Sequence, residues 1–73
     1  MTALNYIEDS LNQLIDQALE LRENGDNEFD KGRLYGYYEI ISKLLNQAEA
    51  FDISKMLSLK VREFNPESLL DKL

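Results

Sequence analysis

Asp26, Glu28 and Asp30 alternate along the chain and Gly32 follows, the way a calcium-binding loop begins. Such a loop takes oxygen ligands from alternate positions, turns on a glycine at its sixth position and closes on a glutamate at its twelfth. Counted from Asp26, those two positions hold Lys31 and Tyr37, so the ligand set is incomplete. The same acids suit the first turn of a helix, where the macrodipole favours negative charge. Covalent catalysis has even less to work with. The chain has no histidine and no cysteine, which removes Ser-His-Asp and Cys-His arrangements and the usual ligands of zinc and haem. Ser10, Ser42, Ser54, Ser58 and Ser68 lack the flanking glycines of a nucleophile elbow and read as caps or exposed helix positions. The Glu-x-x-His pairs of a di-metal carboxylate bundle are also missing. The expectation is a non-enzymatic protein with no catalytic, metal-ligating or cofactor-binding residues.

The most unusual segment is Lys31-Gly32-Arg33-Leu34-Tyr35-Gly36-Tyr37-Tyr38. Small residues four apart leave a bare strip on a helix face, which lets another backbone approach closely. A glycine inside a helix costs about 1 kcal/mol relative to alanine, so Gly36 hints at a compensating contact. Tyr and Arg are enriched at interface hot spots. Arg33, Tyr35, Gly36, Gly32 and Tyr6 are therefore the candidate partner-docking residues. The plainer reading is that Gly36 is merely tolerated, with the C-terminal tail lying across the strip.

The elements that must position these residues follow from periodicity. The one proline is Pro66, and the three glycines fall between Gly25 and Gly36, leaving two long stretches without helix breakers. In the first, Leu4, Ile7, Leu11, Leu14, Ala18 and Leu21 alternate three and four apart, a heptad seam that predicts a helix over about 3–24. Thr2 suits its N-cap, and Gly25 suits a left-handed residue closing it. Residues 24–27 form the turn, and Asn27 or Asp26 can cap the next helix. In the second stretch, Leu34, Tyr37, Ile41, Leu44, Ala48 and Phe51 repeat the seam and predict a helix over about 28–51. Ile15 widens the first seam, and Tyr38 and Leu45 widen the second, on the same side. These twelve seam residues are the expected hairpin or dimer core.

The tail, 53–73, is less regular. Ile53, Leu57, Val61 and Phe64 fit one face of a short helix over about 54–63, whereas Leu57, Leu59 and Val61 also alternate as in a strand. A helix, or a helical turn followed by an extended segment, is favoured, because a lone strand has no partner. Asn65-Pro66-Glu67 is a helix start, predicting a second short helix over about 66–72, with Leu69, Leu70 and Leu73 apolar.

The fold class is thus all-α: an antiparallel helical hairpin with a short helical C-terminal tail, in a single domain spanning 1–73. Seams this wide suit a bundle of three or four helices. Either the tail supplies a third wall or two hairpins pair as a four-helix bundle, and both can hold together. At 73 residues without disulfides, self-association is a natural supplement to a small core, and a homodimer is the expected state. This layout is similar to that of the ROP-type helical-hairpin dimers, and the likeness implies a four-helix bundle. It also implies nucleic-acid binding as an alternative function.

Charge opposes that alternative. The net −6 is distributed as −5 over residues 1–26, −2 over 27–53 and +1 over 54–73, and an acidic surface repels phosphate backbones. An acidic first helix instead suits a regulatory or inhibitory protein that masks a basic surface, such as that of a toxin or a nucleic-acid-binding factor. Small acidic helical proteins of bacteria and phages include such inhibitors, though no motif selects one. No stretch approaches the roughly 20 apolar residues of a membrane span. Residues 1–14 lack the charge and apolar run of a signal peptide. The sequence-level expectation is a cytoplasmic protein without membrane contact.

Overall fold

The computed structural model describes residues 2–71. Thr2 starts the first helix: its Oγ1 accepts the Asn5 backbone N–H at 3.1 Å, satisfying one of the donors that the first turn leaves unpaired. Helix α1 runs Ala3–Asn24 and helix α2 runs Glu28–Ala50. Asn27 caps α2 by accepting the Asp30 N–H at 2.8 Å, and Glu28 and Asp30 sit in the first turn, where the dipole favours them. The two helices, 22 and 23 residues long, pack against each other as an antiparallel hairpin.

The turn differs from the expectation at Gly25. Its φ is −90°, so it is not left-handed. Glycine is needed there because space is short. A Cβ at this position would lie 2.8 Å from the Asp30 Cβ and 2.9 Å from the Leu21 carbonyl oxygen. The Gly25 N–H donates to that same carbonyl at 2.7 Å, and the tightness of this closure excludes a side chain.

The left-handed residue lies instead at the end of α2. Asp52 has φ 60° and is the one non-glycine with positive φ among the described residues. The Asp52 N–H donates to the Glu49 carbonyl at 3.0 Å and the Ile53 N–H to the Ala48 carbonyl at 2.9 Å. This pair of bonds is the Schellman closure of a helix, and it brings the apolar residue after the cap back onto the last turn.

From there the tail folds along one side of the hairpin. In place of one helix over 54–63, the segment begins as the alternative has it, with a helical turn, the 3₁₀ turn Ser54–Met56, followed by an extended stretch, and then adds the one-turn helix α3, Leu59–Arg62. Leu57 and Ser58 between them are extended, with ψ 156° and 158°. At the break the Ser58 N–H is donated to the Glu8 carboxylate on α1, outside any helical ladder. The last element, Pro66–Leu70, is a 3₁₀ helix rather than an α-helix. Asn65 caps it by accepting the Glu67 N–H at 3.1 Å. Lys72 and Leu73, parts of the expected closing helix, lie outside the described residues.

Among the described residues the buried core is shared equally by three segments. Leu11, Ile15 and Ala18 come from α1, Leu34, Ile41 and Ala48 from α2, and Leu57, Val61 and Leu69 from the tail. The tail is therefore the third wall. It lies over the side widened by Ile15, Tyr38 and Leu45. Two α1 side chains tie it down: Asp16 accepts from the Lys60 ammonium at 2.7 Å, and the Arg22 guanidinium donates to the Ser68 carbonyl at 3.2 Å. The sequence's charge division has a structural counterpart in this Lys60–Asp16 pair, which sets a tail cation on the acidic first helix. Among the described residues there is no strand, and no helix is long and apolar enough to cross a membrane.

Candidate protein-binding face

The tail covers one side of the hairpin and leaves the opposite side bare. Two hollows lie along that open side. Near the Asp52 end, Tyr6, Ile7 and Ser10 of α1 face Leu44, Gln47 and Phe51 of α2 across a groove of about 540 Å³ floored by Leu11, Ala48 and Ile53. Near the 25–27 turn, Gln17, Glu20 and Leu21 face Arg33 and Tyr37. In this second hollow the Tyr37 hydroxyl donates to Gln17 Oε1 at 3.3 Å, bridging the two helices. The face is thus apolar at one end and polar at the other.

Helix geometry explains the division. Both seams are built from two rows of residues, and a third neighbouring row widens each. The tail takes the row of Leu11, Ile15 and Ala18 and that of Leu34, Ile41 and Ala48 together with the widening side. The other seam row, Ile7, Leu14 and Leu21 with Tyr37, Leu44 and Phe51, borders the open side. Leu4, Ile7, Leu14, Leu21 and Tyr37 pack partly buried against the core. Leu44 and Phe51 do not join it. They are 38% and 73% exposed, with Tyr6 at 66% and Ile40, one turn from Leu44, at 54%. Within one chain, then, the seam is not buried to its end. Of the described tail residues, Ile53 alone lines this hollow, because the Asp52 closure turns the rest of the chain the other way.

The five residues singled out for docking do not form one patch. Tyr6 lines the apolar hollow and Arg33 the polar one, at opposite ends of the hairpin. Arg33 sits 3.8 Å from the Asp30 carboxylate, with its guanidinium 6.0 Å from the Phe29 ring centre. Tyr35 lines neither hollow and is exposed, its ring 5.7 Å from that of Tyr38. Gly32 and Gly36 do form an open strip. A Cβ at either position meets nothing within 4 Å, so the tail does not cross the strip. The residues that sequence reasoning passed over as docking candidates are Leu44 and Phe51, together with Ile40 and Gln47. The first two had been assigned to the core, and the seam pattern alone could not say which side the tail would cover.

A second, polar cleft of about 530 Å³ runs between α2 and the tail, walled by Tyr38, Ser42, Glu49, Arg62, Phe64 and Glu67 among others. It carries both signs of charge, and Arg62 already donates to the Lys55 carbonyl at 3.3 Å. Among the described residues, no three acidic, histidine or cysteine side chains gather into a metal-ligand group. Comparison of the chain with protein-family models, curated proteins and solved structures finds no match.

Proposed function

We propose that this chain is a non-enzymatic protein-interaction module whose working surface is the open side of the hairpin, centred on Tyr6, Leu44 and Phe51. The observation that carries the reading is the exposure of these large apolar side chains side by side, although the chain has a tail that buries the other side. Contiguous apolar surface of this kind marks interaction sites on soluble proteins. The acidic remainder of the surface keeps such a module soluble. The lack of histidine and cysteine in the chain supports the non-enzymatic part of the reading, since the common nucleophile and base pairs cannot be assembled.

A photo-crosslinking side chain placed at Phe51, and separately at Glu39 on the outer surface of α2, tests this in the cells that make the protein. The expected result is a discrete crosslinked product from position 51 and none from position 39. No product from position 51, with the protein folded and abundant, would overturn the reading.

A further inference from the structure

We infer that the occupant of the open face is a second copy of this chain, docked about a two-fold axis parallel to the helices. This rests on the reading of that face as the working surface. Three features of the face point to a copy rather than to an unlike partner.

The first is charge. The chain carries −6, yet the two hollows are lined by a single carboxylate, Glu20, and a single cation, Arg33. The face is neutral within an acidic molecule. A strongly basic partner finds its complement elsewhere on the surface, whereas a second acidic copy meets no repulsion here.

The second feature is size. Two helices of 22 and 23 residues lying side by side present a strip roughly 34 Å long and about 20 Å wide. That is on the order of 700 Å² per copy, close to the roughly 800 Å² per partner of a standard stable interface.

The third feature fixes the orientation. With the two-fold axis parallel to the helices, like ends meet, so Tyr6, Ile7, Leu44 and Phe51 face the same apolar cluster on the other copy. The same operation sets α2 of one chain opposite α1 of the other, so Arg33 faces the partner's Glu20. Arg33 can swing there, because its own side chain is half exposed and its Asp30 contact is long, 3.8 Å, and such pairs are weak. An axis perpendicular to the helices would instead press Phe51 onto the polar hollow. The resulting assembly is a four-helix bundle with antiparallel neighbours throughout and with a tail on each outer side.

The full chain, examined by sedimentation equilibrium across a concentration series, should approach twice 8.5 kDa. The double variant Leu44→Glu, Phe51→Glu should return it to the monomer mass. That variant should keep the helical circular dichroism signal and a cooperative melt, because neither side chain belongs to the buried core. Spin labels on an Asp26→Cys variant, which has no other cysteine, report the axis. In the parallel arrangement the two turns lie within about 20 Å, two helix diameters. In the perpendicular one they lie about 35 Å apart, a helix length. A strict monomer, a dimer that survives the double variant, or the long label distance would each overturn the inference. A monomer that still crosslinks to a different protein from position 51 overturns this inference alone. A monomer with no crosslink at all overturns the reading beneath it as well.

Discussion

The Ile53 N–H reaches back to the Ala48 carbonyl at 2.9 Å, and the bond depends on the left-handed conformation of Asp52 between them. An L-residue with a side chain strains in that conformation and glycine does not. Asp52→Gly is therefore expected to stabilise the protein by about 0.5–1 kcal/mol, read as a shift in the urea midpoint. A destabilised variant would mean that the Asp52 carboxylate holds the corner by some other contact.

The core is split three ways, so a substitution in the tail should cost as much as one in the hairpin. Leu69 is fully buried. Leu69→Ala should lose about 2–4 kcal/mol, a large share of the roughly 5 kcal/mol or so that a domain near the lower end of the usual range has. Leu44→Ala removes the same atoms from a side chain that is 38% exposed and should cost about 1.5 kcal/mol or less. Equal losses at the two sites in dilute, monomeric protein would contradict the three-part core.

Glycine substitutions should move in opposite directions. A Cβ at Gly36 meets open space and one at Gly25 meets Asp30 and Leu21. Gly36→Ala should raise stability by about 0.5–1 kcal/mol, whereas Gly25→Ala should lower it, both seen by thermal melts. If Gly36→Ala melts higher with an unchanged native mass, the small-residue strip has no part in association.

Asn12 faces the tail side of α1, and its buried Oδ1 has no hydrogen-bond partner. An unmet buried acceptor costs about 1–3 kcal/mol. Asn12→Leu replaces the amide with an apolar group of similar size and should stabilise the fold by about 1 kcal/mol. Its denaturation midpoint relative to that of the unaltered chain is the measurement.

These sites also mark where sequence reasoning reached and where it stopped. The heptad spacing of Leu4 to Leu21 and of Leu34 to Phe51 made both long helices legible, because a repeated period of three and four has one simple structural meaning. The caps at Thr2, Asn27 and Asn65 were legible because capping involves only neighbouring residues. The Asp52 corner was not: its left-handed conformation falls on an aspartate rather than the usual glycine, and the glycine that was available, Gly25, is used for closeness instead. The tail's Leu57, Val61 and Phe64 have the same spacing whether one helix or two broken turns carry them. At the break the Ser58 N–H goes to Glu8, fifty residues away in sequence. Which side of the hairpin stays open was not legible for a related reason. Leu44 and Phe51 belong to the same heptad seam as the buried Ile41 and Ala48, and only the side chosen by the tail separates the two rows. Tyr6 and Arg33 were grouped by residue type, yet the antiparallel hairpin sets them at opposite ends.

Giving a third of the buried core to the tail also orders events during folding. The hairpin can form first, since its two arms are joined by a short turn. Until Val61 and Leu69 dock, the side of the hairpin that they cover is as bare as the side that stays open. The folding chain therefore passes through a stage with apolar surface on both flanks. Closing the first flank requires tail contacts between residues 44–50 apart in sequence, which form later than contacts across a turn. For this chain, the interval between closure of the hairpin and docking of Leu69 is when it is most exposed to aggregation.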